Sequence, residues 1–183
     1  LITCATIAQS FMLVVTMPLG GISGGTQTIL AFNYGAHRRG RILQAEKHIA
    51  LLCVGYTALM FALARLGGGL FVRLFTTEPE LAAEGLDAIR ICTLAVIPLG
   101  IQYAIVDGFT GMAQVKLALP LSAFRKVVYF AALFWLPAAF GARAVFYAEP
   151  VSDVLGPIAS VIIYAVFIKK ILDFPAAPRH HEG

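Results

Sequence analysis

One carboxylate stands deep in an apolar run: Asp107, within VIPLGIQYAIVDGFTGMAQ. A carboxylate in hydrocarbon has to be neutralised by a proton, a metal cation or a fixed basic partner, so a residue of this kind can take and release a proton or bind sodium. Tyr103 precedes it by four residues and shares its helix face, and Gln102 lies beside Tyr103, about one turn toward the other end of the segment. Gln102, Tyr103 and Asp107 are therefore candidates for binding a substrate or a cation. A structural alternative stays open, in which Asp107 pairs with Arg125 or Lys126 near the membrane boundary.

A second polar group sits in GISGGTQTILAFNYGAHRRGR, residues 21–41, which ends a hydrophobic run. Gly20 with Gly24, and Gly21 with Gly25, are small residues four apart, a spacing that strips one helix face and predicts close approach of another helix. Gln27 cannot sit alone in hydrocarbon without a hydrogen-bond partner, so it faces the bundle, either bonding a neighbouring helix or lining a wet cavity. Asn33 and Gly35 suit a helix end, where both residue types tolerate left-handed backbone, and Tyr34 lies between them.

Other chemistries find no support. The chain has no GxxxxGK[ST] phosphate loop, no HExxH, no GxSxG and no paired carboxylates in one apolar segment, so the expectation is a protein that is not an enzyme and has no resident cofactor. Cys4, Cys53 and Cys92 stand singly in separate apolar segments and read as buried small hydrophobes. His180 and His181 belong to a polar tail, RHHEG, and read as disordered rather than as metal ligands. The net charge of +4 comes without a basic stripe interleaved with aromatics, which argues against nucleic acid as a partner.

The elements that must position these residues are membrane helices. Of 183 residues, 59% are hydrophobic and 13% charged, and the mean hydropathy is +0.82; soluble domains carry about 25% charge. A bilayer core about 30 Å thick takes roughly 20 apolar helical residues. Five windows meet that need, running from Ile2 to Leu30, Ile49 to Phe75, Ile89 to Ala113, Leu117 to Phe140 and Val151 to Ile168. The fold class is all-α, a polytopic membrane helix bundle with lipid around it. Pro18, Pro98, Pro120, Pro137 and Pro157 fall in or near these windows, and Gly67, Gly68 and Gly69 interrupt the second, a pattern that predicts bent or discontinuous helices around a cavity.

Loop charge predicts the orientation. Arg38, Arg39, Arg41, Lys47, Lys116, Arg125, Lys126, Lys169, Lys170 and Arg179 group on one side, while Arg65, Arg73, Arg90 and Arg143 lie on the other with Glu78, Glu80, Glu84, Asp87, Glu149 and Asp153. The positive-inside rule then makes the HRRGR loop and the C-terminus cytoplasmic. Five spans place the N-terminus outside, and the chain opens on Leu1 directly in apolar sequence, features expected of the C-terminal part of a longer protein.

In order along the chain, several motifs resemble those of the multidrug and toxic compound extrusion (MATE) transporters. The first is the Gly-rich stretch with Gly21, Gly25 and Gln27 and its Asn33-Tyr34-Gly35-Ala36 ending. LFTTEPEL at residues 74–81, AIRICTLAVIPLG at 88–100, SAFRK with Arg125 at 122–126, WLPAAFG at 135–141 and EPVSD at 149–153 follow. Gly24 and Thr28 depart from the family's Gln and Pro, and Thr110 and Gln114 from its Gln and Gly. The resemblance implies twelve helices in two lobes of six, with residues 1–172 forming about five helices of the C-terminal lobe and residues 173–183 a cytoplasmic polar tail.

It further implies secondary efflux of organic or cationic drugs across the plasma membrane, by antiport with protons or sodium. The N-terminal lobe would be the partner, and the chain alone would not transport. Two other readings stand beside it: a flippase of related architecture acting on lipid-linked saccharides, and a non-transporting membrane scaffold.

Overall fold

The computed structural model describes residues 2–174, and the tail expectations for His180, His181 and Arg179 lie outside them. The described residues form eight α-helices: α1 (Ile2–Gly25), α2 (Gln27–Gly35), α3 (Arg39–Leu66), α4 (Gly68–Val72), α5 (Pro79–Cys92), α6 (Val96–Gly111), α7 (Val115–Phe140) and α8 (Ala148–Ile171). A 3₁₀ segment, Ala142–Tyr147, leads into α8. The chain is an all-α membrane bundle. Four stretches are long and apolar enough to cross a membrane: α1 with α2, α3, α7, and the 3₁₀ segment with α8. Taken as one span bent by 46°, α5 and α6 make a fifth.

The spans break at Thr26, at Gly67 and at residues 93–95, and the interior prolines leave the helices uninterrupted. Pro18, Pro120, Pro137 and Pro157 all lie within continuous helices. Between α1 and α2 the break is Thr26, whose hydroxyl sits at the Ser23 carbonyl (2.8 Å) and the Ile22 carbonyl (3.1 Å). Between α5 and α6 the chain turns at residues 93–95, where the buried Thr93 hydroxyl lies 2.8 Å from the Ile89 carbonyl. Pro98 falls in the first turn of α6, where its missing N–H costs no helical hydrogen bond, so it favours a fresh helix start rather than a kink.

Window boundaries shift accordingly. The second span begins at Arg39 rather than Ile49 and closes at Gly67, with α4 as a separate turn. Polar residues of Arg39 to His48 extend that helix because Ile42, Ile49 and Cys53 continue one buried face. The third window is split, and its helical start retreats to Pro79, ahead of the acidic residues Glu80, Glu84 and Asp87.

At the centre stands α6, packed by α1, α2, α3, α7 and α8. Its glycines set the approach distances. A Cβ on Gly100 would stand 2.9 Å from the Cys53 carbonyl oxygen, and one on Gly111 would stand 2.9 Å from that of Gln27. The close approach expected at α1 is not found there: a Cβ on Gly21, Gly24 or Gly25 would meet nothing within 4 Å, and one on Gly20 would make only ordinary contact with Tyr103.

The turns α2–α3 and α6–α7 and the end of α8 meet at one end of the bundle. There Gln114 donates to the Tyr34 hydroxyl (3.2 Å), and the Phe174 ring lies 4.5 Å from His37 and 5.4 Å from Tyr34. Arg38, Arg39, Arg41, Lys116, Lys169 and Lys170 collect at this end as the loop charges predict. The left-handed residues of the two turns are His37 (φ 54) and Ala113 (φ 59), not Asn33 or Gly35. Asn33 is still helical and bonds the Ile29 carbonyl one turn back (2.8 Å), while Gly35 closes α2. Cys4, Cys53 and Cys92 are all buried thiols.

Candidate cation site in the bundle interior

Asp107 lies four residues before the end of α6, and two helices supply its partners. Ser23 from α1 donates its hydroxyl to Oδ2, and Gln27 from α2 donates its side-chain amide to Oδ1 at 3.0 Å. Ser23 and Gln27 are four residues apart across the Thr26 break, so both project onto the same face of α6. Two neutral donors orient the carboxylate and compensate no charge.

Asp107 opens onto a cavity of about 270 Å³ that it lines with Gln102, Tyr103, Ser122, Arg125 and Lys126. Gln102, Tyr103 and Asp107 thus meet as the helix spacing predicts, and Gln27 reaches them through Asp107. Gln102 is 3% exposed, with no partner for its side-chain oxygen among the described residues. A smaller cavity of about 150 Å³ shares Tyr103, Arg125 and Lys126 and extends to Gln9 and Glu149, where the Gln9 amide donates to Glu149 at 3.2 Å. A larger hollow of about 640 Å³ lies toward the other end of the bundle, among Glu84, Asp87, Phe140 and Arg143, and takes no part in holding Asp107.

The expected pairing of Asp107 with Arg125 or Lys126 is not formed. Arg125 bonds Asp153 instead, Nη1 to Oδ1 at 3.0 Å, and Asp153 is wholly buried. Loop charge alone assigns these two to opposite sides of the membrane. They meet because α7 carries Arg125 ten residues inward, about 15 Å at 1.5 Å per residue, while the 3₁₀ segment and the first turn of α8 carry Asp153 in from the other end. Lys126, the next residue, is exposed and has no ion-pair partner among the described residues.

Asp107 is therefore not the sole carboxylate of the interior. Beside Asp153 stands Glu46, on α3, which receives the Tyr164 hydroxyl from α8; its other oxygen is buried without a partner against Gly108, the residue after Asp107. A sequence signal for Glu46 exists in the series Ile42, Glu46, Ile49, Cys53, all on one helical face, but it is masked by the basic residues between them. For Asp153 the signal is its place inside the last apolar window, two residues beyond Val151.

The fold is thus a discontinuous helical membrane bundle with charged residues held in its interior and a polar cavity beside its central helix. The MatE family model matches residues 2–136, more than half of the chain, and the chain belongs to that family. Among curated proteins none matches the sequence.

Two solved structures share the fold. The MATE multidrug transporter DinF-BH, solved as a complex with a bound ligand, is 27% identical with a TM-score of 0.81, over 91% of this chain and 37% of that one. An inward-facing multidrug resistance MATE transporter of the MOP superfamily gives a TM-score of 0.81 over 90% of this chain and 39% of that one; at 16% identity the likeness is one of fold. This chain thus spans well under half the length of either transporter.

Proposed function

We propose that this chain is part of a secondary transporter that exports organic cations in exchange for protons or sodium. The observation that carries the reading is Asp107 itself: a carboxylate held by Ser23 and Gln27, facing a cavity, and without an ion-pair partner among the described residues. An ionised carboxylate in such a place attracts a cation, and the neutral donors keep its geometry ready whether the occupant is present or absent. Cargo and coupling ion would compete for the one group, each favouring a different state of the bundle.

The family membership and the 27% identical multidrug transporter support efflux of drug-like molecules. Tyr103 offers an aromatic face and Gln102 an unpaired carbonyl oxygen at the same cavity, a set suited to an amphipathic cation. With Arg125 tied to Asp153, Lys126 is the one unpaired basic side chain lining the cavity among the described residues, short of a row of basic groups for the phosphate of a lipid-linked saccharide. Complementary lobe, plasma-membrane location and a cytoplasmic C-terminus complete the reading, the last from the basic residues gathered at one end.

Drug-sensitive cells that carry a full-length transporter containing this chain accumulate less of a fluorescent organic cation than cells with its Asp107→Asn variant, and collapsing the proton and sodium gradients together removes the difference. Equal accumulation with wild type and variant, gradients intact, would sink the proposal.

A further inference from the structure

Arg125 belongs to two neighbourhoods at once. Its guanidinium bonds the wholly buried Asp153, and its side chain, 14% exposed, lines the cavity into which Asp107 opens. A guanidinium has five N–H donors and stays charged under all working conditions. Only the Nη1 contact to Asp153 ties it to a carboxylate, so donors remain for the cavity.

The lane that Arg125 occupies is made by Gly156 of α8. A Cβ there would stand 3.0 Å from Arg125 Cγ and 3.0 Å from Gln102 Cδ, so the glycine lets the arginine stem and the glutamine amide lie side by side between α6, α7 and α8. The second oxygen of Asp153 and the side-chain oxygen of Gln102 are both buried without partners among the described residues. Polar acceptors thus extend from Asp153 toward the cavity of Asp107. Glu149, the other carboxylate near Arg125, already accepts the Gln9 amide.

Three carboxylates therefore stand around one interior guanidinium: Asp153 holds it, Glu149 is engaged by Gln9, and Asp107 has only neutral donors among the described residues. We propose that Arg125 is a tethered competitor of the cargo cation at Asp107, kept away from it by Asp153. While Asp153 holds the arginine, Asp107 is free to take a cation. When Asp153 is neutralised, the buried guanidinium loses its partner, turns across the shared cavity to Asp107 and displaces the occupant. Lys126 lines the same cavity but is exposed and has no carboxylate to hold it back, so it contributes a constant charge rather than a choice between sites.

This inference rests on Asp107 being the cation-binding group, and the experiment separates the two. A full-length transporter containing this chain is placed in lipid nanodiscs and titrated with tetraphenylphosphonium by calorimetry. Asp153→Asn should weaken binding by about tenfold or more, Arg125→Gln with Asp153→Asn should restore it, and Asp107→Asn should abolish it. Restoration in the double variant shows that the loss in Asp153→Asn comes from the released arginine and not from misfolding. Wild-type affinity in Asp153→Asn, as when Arg125 moves to Glu149, overturns the competition, and so does a double variant that stays weak. Unchanged binding in Asp107→Asn overturns the assignment of Asp107 and the competition with it.

Discussion

Gly111 and Gln27 touch main chain to main chain: a Cβ on Gly111 would stand 2.9 Å from the Gln27 carbonyl oxygen and 3.2 Å from its Cα. The end of α6 and the start of α2 are thereby held at backbone distance, and the same Gln27 sends its side chain back to Asp107. One contact therefore sets both the packing of the broken span and the orientation of the candidate site.

Gly111→Ala should force α2 away from α6, because backbone atoms on both sides cannot yield as a flexible side chain would. A loss of about 1–3 kcal/mol is expected for overpacking of this kind. Gly21→Ala and Gly25→Ala, where a Cβ would meet nothing within 4 Å, should cost no stability and gain up to about 1 kcal/mol from helix propensity. Denaturant unfolding of the three variants of this chain in detergent checks the contrast. Equal losses at Gly111 and Gly21 would show that the bare face of α1 is the packed one.

The sequence discloses the glycines but not which of them are approached. Small residues four apart in α1 have the expected spacing, yet the close contacts fall on Gly100 and Gly111 of α6, where the backbone of Cys53 on α3 and of Gln27 on α2 comes up against them. Spans were legible from apolar length, and a break was legible from Pro98, which marks the start of α6. Asp107 with Gln102 and Tyr103 was legible from helical spacing. Its partner Ser23 was not, since nothing local tells a serine that bonds its own helix from one that also reaches another. Hydropathy also hid Glu46 and Asp153: each lies within a few residues of a window edge, where charge is ordinarily assigned to a loop. Tertiary pairing with Tyr164 and Arg125 is what draws them inward.

Glu46 and Tyr164 tie α3 to α8 behind the central helix. Removing the hydroxyl in Tyr164→Phe leaves a buried carboxyl with neither oxygen bonded, at a cost of about 1–3 kcal/mol. Glu46→Gln keeps an acceptor oxygen for the tyrosine and fits nearly the same volume beside Gly108, so its loss should be smaller. Unfolding midpoints of the two variants give the order. A Tyr164→Phe protein as stable as the wild type would mean that the carboxyl finds another donor.

The Arg125–Asp153 pair gives the largest expected change. Asp153 is wholly buried and the Arg125 side chain is 14% exposed, so removal of either partner leaves a poorly solvated charge in the interior. Asp153→Leu alone should destabilise this chain by about 3–5 kcal/mol, whereas Arg125→Met together with Asp153→Leu should recover most of the loss, because apolar residues of similar volume avoid the cost of burying both ions. The comparison is a double-mutant cycle on unfolding free energy, with Gln102 and Gly156 unchanged so that packing along α8 stays the same. A double variant no more stable than Asp153→Leu would mean that the pair specifies how α7 meets α8, beyond compensating its own charges.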